Sequence, residues 1–129
     1  MRNWKSGELL RSWQGHKRRV ADVQFSPDQN LIFSCGYDST LRSWTLDGEL
    51  VRTFSGHNQE VTDLAFADDG QTLMSGGRDR SIKFWDAGTG ELQRSIVAQT
   101  AEIKDLLYHS DRDQLLSASV DGTIRIIVD

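Results

Sequence analysis

The stretch GELVRTFSGHNQEVTDLAFADDGQTLMSGGRDRSIKFWDAGT, residues 48–89, decides the fold because it is the middle one of three copies of a single pattern. Its opening Gly48-Glu49-Leu50 stands 41 residues after Gly7-Glu8-Leu9 and 42 residues before Gly90-Glu91-Leu92. The landmarks inside keep step. Gly56-His57 answers Gly15-His16, Val61-Thr62-Asp63 answers Val20-Ala21-Asp22 and Ile103-Lys104-Asp105, and Phe66 answers Phe25 and Tyr108. A fixed period of this length marks a repeat architecture, in which each unit buries its apolar face only by stacking on its neighbours. The copies run 7–47, 48–89 and 90–129.

Each copy holds four short apolar runs separated by turn residues. In the first they are residues 9–13, 20–25, 31–35 and 40–44, with Ser26-Pro27-Asp28 as a turn between the second and third. No segment carries a helical period over a helix length, so the chain is predicted to be all-β. The third run is apolar at successive positions, Leu31-Ile32-Phe33, then Leu73-Met74, then Leu115-Leu116. That suits a strand covered on both faces, hence sheets stacked on sheets.

Composition narrows the function. Of 129 residues, 37% are hydrophobic and 26% charged, enough for one domain-sized core and unlike a disordered tail. A net charge of -4 argues against nucleic acid or an anionic membrane as partner. No apolar run approaches the ~20 residues that span a bilayer, and the start MRNWKSGELLR lacks the apolar centre of a signal peptide, so a soluble, cytoplasmic protein is expected. Cys35 is the one cysteine, which excludes an internal disulfide and a Cys-based zinc site and fits a reducing compartment. In strand position beside Ser34 it reads as a small buried hydrophobe.

With these landmarks the whole chain resembles the WD-repeat β-propeller family, whose units of about 40–45 residues carry Gly-His near the start and Trp-Asp near the end. The literal Trp-Asp pair occurs at Trp85-Asp86, whereas Thr45 follows Trp44 and Val128 follows Ile127. The resemblance implies four-stranded blades, with the strands of each repeat in the order d, a, b, c and strand d completing the blade before. It also implies a hydrogen-bonded tetrad of His, Ser, Asp and Trp. The matching residues are His16, Ser34, Asp38 and Trp44 in the first repeat, and His57, Ser75, Asp79 and Trp85 in the second. The third has Gln99, Ser117, Asp121 and Ile127 there, so its network is expected to be broken and its blade the softest.

Ser, His and Asp together also suggest a hydrolase triad. A nucleophilic Ser needs exposure and an oxyanion hole, whereas these serines fall inside strands and recur once per repeat. No catalytic residue, cofactor or metal is therefore expected. Asp22, Asp63 and Asp105 also recur once per repeat; a channel cation would suit them, but backbone hydrogen bonding in a strand bulge is the simpler reading.

In the resembled family, ligands usually meet the face where the d to a loops and b to c turns converge. Carried over by position, that face consists of Arg19, Ala21 and Tyr37, then Glu60, Thr62 and Arg78, then Glu102, Lys104 and Val120. Arg19, Tyr37 and Arg78 would suit an acidic or phosphorylated peptide, since Arg pairs with oxyanions in a fork and Tyr adds contact area. Lys17-Arg18-Arg19 otherwise reads as a solvated loop.

Propellers close with 4–8 blades, and three repeats fall short. Met1-Arg2-Asn3-Trp4 aligns with Leu41-Arg42-Ser43-Trp44 and Ile82-Lys83-Phe84-Trp85, so residues 1–6 read as a remnant of a preceding blade strand. The expected architecture is a partial propeller of about three blades, closing by oligomerisation or with a partner chain. Head-to-tail association would pair residues 9–13 of one copy with 124–127 of another. At a seven-blade pitch of about 51° three blades sweep about 154°, nearer to half a circle than a third, so a dimer is the first expectation and a trimer the second. The expected function is a non-enzymatic scaffold presenting a loop face to a protein or peptide. One alternative is a fragment or split half of a larger WD-repeat protein, completed by another polypeptide. The rival class is a propeller enzyme acting on a small molecule in the channel. It has little to work with, because the tetrads claim His16 and His57, and His109 falls at the opposite face.

Overall fold

A computed structural model describes residues 11–97, 102–109 and 111–128. Within them the chain is all-β, in the order β1 (Val20–Phe25), β2 (Leu31–Gly36), β3 (Thr40–Thr45), β4 (Leu50–Ser55), β5 (Val61–Phe66), β6 (Thr72–Gly77), β7 (Ile82–Asp86), β8 (Leu92–Ile96), β9 (Ile103–His109), β10 (Gln114–Ser119) and β11 (Ile124–Val128). These form three antiparallel sheets, β1-β2-β3-β4, β5-β6-β7-β8 and β9-β10-β11. The repeat order d, a, b, c is visible in this pairing. β4 opens the second repeat yet pairs with β3 of the first, and β8 of the third pairs with β7 of the second.

Two expectations need correction. The third blade has three strands among the described residues, not four, since β11 pairs only with β10. Arg11, Ser12 and Trp13, the described part of the run at 9–13, are not in a strand, since a d run pairs only with strand c of the blade before it. Leu9, Leu10, the proposed remnant at 1–6 and Gln99 lie outside the described residues.

The sheets stack through two apolar cores. The first joins Phe33, Cys35, Leu41 and Phe54 of one blade to Val61, Leu64, Leu73 and Trp85 of the next. The second joins Ala65, Met74 and Ile82 to Ile103, Leu106 and Leu115. Leu73 and Met74 are sequence neighbours whose side chains leave β6 on opposite faces, one into each core, as the doubly apolar third run requires. The turns repeat as well. The left-handed position after each strand b turn is held by Ser39 (φ 72°), Arg80 (φ 67°) and Gly122 (φ 85°), and only the last is free of the Cβ cost there.

Among the described residues, large apolar side chains stand exposed on the outward faces of the end blades. Ile124 is 74% exposed, although its repeat equivalents Leu41 and Ile82 are fully buried at 0%. At the other end Val23 is 59% exposed, against 1% for Leu64 in the same position one repeat later. Phe25, Leu107 and Ile126 are likewise exposed.

Candidate functional site

Two polar chains hold the loops onto the blades. In the first, His16 Nδ1 meets the Asp38 carboxylate at 3.0 Å, His16 Nε2 meets Ser34 Oγ at 2.7 Å, and Trp44 Nε1 donates to Ser34 Oγ at 2.9 Å. The second repeats it: His57 Nδ1 to Asp79 at 2.9 Å, His57 Nε2 to Ser75 Oγ at 2.7 Å, and Trp85 Nε1 to Ser75 Oγ at 2.8 Å. One direction of donation satisfies every group. The ring hydrogen on Nδ1 goes to the carboxylate, the serine hydroxyl donates to Nε2, and the indole donates to the serine oxygen. The geometry is that of a triad, but Ser34 and Ser75 are buried, and each hydroxyl already bonds both an imidazole and an indole N–H.

The two carboxylates are held in their charged form. Burial pushes Asp38 up, but hydrogen bonds from Thr40, the Lys17 main chain and His16 outweigh it and bring the pKa down to about 2. Asp79 is lowered further: burial opposes, while His57 and Ser81 prevail. The hydroxyls of Thr40 and Ser81 were not anticipated from the sequence, although the signal was there. A hydroxyl residue stands two after the turn Asp in all three repeats, and in the third Thr123 N donates to Asp121 Oδ1 at 3.0 Å. Ser117 is buried in β10.

Above the tetrads a rim is built by one main-chain tie used three times. Tyr37 N donates to Arg19 O at 2.8 Å, Arg78 N to Glu60 O at 2.9 Å and Val120 N to Glu102 O at 3.0 Å. Each tie sets a strand a entry beside a b to c turn, so the side chains at these positions must emerge together. Arg78 is the hub. Its Nη1 donates to Glu60 Oε2 at 3.1 Å, its Nε lies 3.4 Å from Glu102 Oε2, and its guanidinium carbon stands 4.9 Å from the centre of the Tyr37 ring. Arg19 stacks on the same ring at 5.3 Å. Arg19, Tyr37, Thr62, Arg78, Glu102 and Lys104 line a cleft of about 420 Å³, with Ala21 and Val120 also on its wall. The Thr62 hydroxyl is turned into the fold, toward the carbonyls of Gly76 and Ile103. Arg78 thus already carries two carboxylates, and an acidic ligand would meet Arg19 and Lys104 first.

Below the rim, β1, β5 and β9 lie side by side. Asp22 follows a bulge in the β1–β2 ladder, and its carboxylate accepts Val23 N at 2.9 Å and, from the next blade, Leu64 N at 3.2 Å. Asp63 accepts Leu106 N of the third blade at 2.6 Å. Burial, then hydrogen bonding with Asp22 and Asp105, lifts the Asp63 carboxyl far above the usual range, to about 9. These carboxylates serve backbone hydrogens, as the simpler reading had it, and across blade boundaries, which it had not foreseen. Among the described residues no group of three His, Cys, Asp or Glu is placed to hold a metal ion. Cys35 lies in the first core, where burial and then the nearby Asp22 and Asp63 push its thiol pKa up.

The model of the family described as WD domain, G-beta repeat matches residues 7–45, 48–86 and 90–127. Over 42 residues the chain is 48% identical to transcription initiation factor TFIID subunit 5 of Drosophila melanogaster, a match covering 33% of this chain and 6% of that protein. Pre-mRNA-processing factor 19 of Homo sapiens is 39% identical over 41 residues, covering 32% of this chain and 8% of the relative. In fold the chain is similar to the solved structure of U3-55K, with a TM-score of 0.82 and 24% identity over 88% of this chain and 37% of that one. The crystal structure of the RRP9 WD40 repeats gives the same TM-score of 0.82, over 88% of this chain and 36% of its own. The matches thus span under a tenth of these curated relatives and a little over a third of the solved neighbours.

Proposed function

Since the chain belongs to the WD domain, G-beta repeat family, we propose that it is a non-enzymatic protein-interaction scaffold. In this reading it is a half-propeller that completes its ring head to tail with a second copy and offers the rim around Tyr37 and Arg78 to a protein or peptide. One observation carries the assembly. Ile124 lies 74% exposed at a position that is fully buried in both earlier repeats, and it is accompanied by Val23 and Phe25 at the opposite end. Apolar surface of this extent gains roughly 25 cal/mol per Å² on burial, before the costs of association. The exchanged strand would be residues 9–13, whose Trp13 already packs on Trp44 with ring centres 6.0 Å apart, as Phe54 packs on Trp85 at 5.7 Å across the first internal joint.

The scaffold reading is supported by the tetrads, which consume His16, His57, Ser34 and Ser75 in loop fixation. For the ligand an acidic or phosphorylated peptide remains the proposal, contacting Arg19 and Lys104 and competing with Glu60 and Glu102 for Arg78. The cytoplasm is the proposed location, on the strength of its reduced, buried Cys35.

Light scattering tests the assembly. A mass near twice 14.6 kDa is expected, three times that mass would mean a trimer, and Trp13→Asp should weaken either. A well-behaved monomer at micromolar concentration would transfer the proposal to a second reading, completion by a different WD-repeat polypeptide. That reading is favoured by the 36–37% share of the solved neighbours that this chain spans.

A further inference from the structure

We propose that Asp105 of one copy accepts the main-chain hydrogen of Val23 of a second copy, and that this bond fixes the register in which the two open ends join. The inference rests on the ring-completion reading and names the residues that would make the joint specific. Three positions in the repeat are equivalent, Val23, Leu64 and Leu106, and so are Asp22, Asp63 and Asp105. At both internal joints the carboxylate of one blade takes the hydrogen of the next: Asp22 Oδ2 from Leu64 N at 3.2 Å, and Asp63 Oδ2 from Leu106 N at 2.6 Å.

The two open ends hold the separated halves of the same arrangement. Among the described residues no blade stands before Val23, whose N–H goes to Oδ1 of its own neighbour Asp22, at 2.9 Å. Asp105 sits exposed on β9, and among the described residues no blade lies beyond it. The apolar surroundings match in the same way. Leu107 and Ile124 on one end stand in the places of Ala65 and Ile82, which are buried against Ile103 and Leu106. Val20 and Val23 on the other end stand in the places of Val61 and Leu64, which are buried against Leu41 and Phe54. A second copy therefore presents to each end the kind of surface that the internal joints already pair, with a hydrogen bond from main chain to carboxyl oxygen at its centre.

The test uses the whole chain and sedimentation velocity over a concentration series. Wild type should dimerise. Asp105→Ala removes the acceptor and Val23→Pro removes the hydrogen, and Pro is tolerated on the channel-side edge of β1 because that N–H is not part of the β1–β2 ladder. Each variant should raise the dissociation constant at least about tenfold, since each ring loses two hydrogen bonds. Asp105→Asn, which keeps an acceptor oxygen, should lose much less. A 1:1 mixture of Asp105→Ala and Val23→Pro should associate more tightly than either alone, because one of its two joints then has both partners. Near-ultraviolet circular dichroism of the tryptophans checks that the variants are folded; if Val23→Pro is not, the Ala and Asn variants at 105 decide. A wild-type dimer that Asp105→Ala leaves unchanged, or two weakened variants that gain nothing on mixing, would overturn the inference while the ring stands. A monomeric wild type would overturn both.

Discussion

Gly36 lies so close to His16 that a Cβ on it would stand 3.0 Å from the imidazole and 2.9 Å from the carbonyl oxygen of Arg19. Gly77 repeats the relation, with 2.6 Å to Glu60 O and 3.3 Å to His57 Nδ1. The third repeat has Ser119 at this place and Gln99 where the histidine stood. Glycine here is the space that a buried imidazole needs, whereas the rim tie persists beside Ser119, with Val120 N still donating to Glu102 O at 3.0 Å. Gly77→Ala should therefore destabilise by about 1–3 kcal/mol through overpacking, measured by urea unfolding. An unfolding curve identical to wild type would show that the imidazole and the loop beside it yield freely.

The tetrads make a comparable demand. His57→Ala or Asp79→Ala leaves buried hydrogen-bonding groups without partners and should cost about 1–3 kcal/mol. The same substitution at Gln99, where no histidine stands, should cost much less in the same calorimetric experiment. Equal shifts at 57 and 99 would refute the assignment of the network.

Acid should unfold the protein through the turn aspartates. Asp38 titrates near 2 when folded and near 3.8 when unfolded, so below both values the two states bind this proton equally and its contribution vanishes. Stability from this group is present above about pH 4 and is lost as the pH falls toward 2. Asp38→Asn should flatten that limb of a stability profile measured by urea unfolding from pH 2 to 5. An unchanged slope would mean that the carboxylate is not held charged.

Asp63 should act with the opposite sign. Its folded pKa is raised from 3.8 to about 9, so the native state keeps a proton that the unfolded chain gives up, and stability falls as pH rises between those values. Asp63→Asn retains an oxygen for Leu106 N and no longer titrates. The variant should gain on wild type steadily from pH 5 to pH 9 in thermal melts. A constant difference across that range would mean that the Asp63 carboxyl is not held protonated in the fold.

At the rim, Arg19→Glu should abolish capture of an acidic peptide, read by fluorescence polarisation, without lowering the melting temperature. Arg78→Gln frees Glu60 and Glu102, turns the cleft more acidic and should weaken capture as well. Its stability cost should stay below about 1 kcal/mol, as is usual for ion pairs in contact with water. Loss of capture only on changing Asp69 or Asp111 would move the site to the opposite face.

The repeat was legible because it is a short pattern copied in register, and in-register copies reinforce one another; the strand order and the residues of both tetrads followed from the family resemblance that those copies carry. The doubly buried third run could be read from Leu73-Met74 alone, since successive positions on a strand must face opposite ways. Contacts between blades left no such trace. The carboxylate bonds from Asp22 to Leu64 and from Asp63 to Leu106 join residues more than 40 apart, and nothing in the local sequence says which N–H an aspartate will find. The pairing of Arg78 with Glu60 and Glu102 was hidden for the same reason: position placed all three on one face, but only side-chain reach makes one of them the hub.

That Leu73 and Met74 feed different cores also bears on how the chain folds. Neither core belongs to a single sheet, so no blade can bury its apolar side chains before a neighbour exists, and nucleation must recruit two units at once. The middle sheet, β5 to β8, is the one unit common to both cores. Folding started at either end can spread only through it, and a chain cut into its separate repeats should yield three pieces, none of which folds alone.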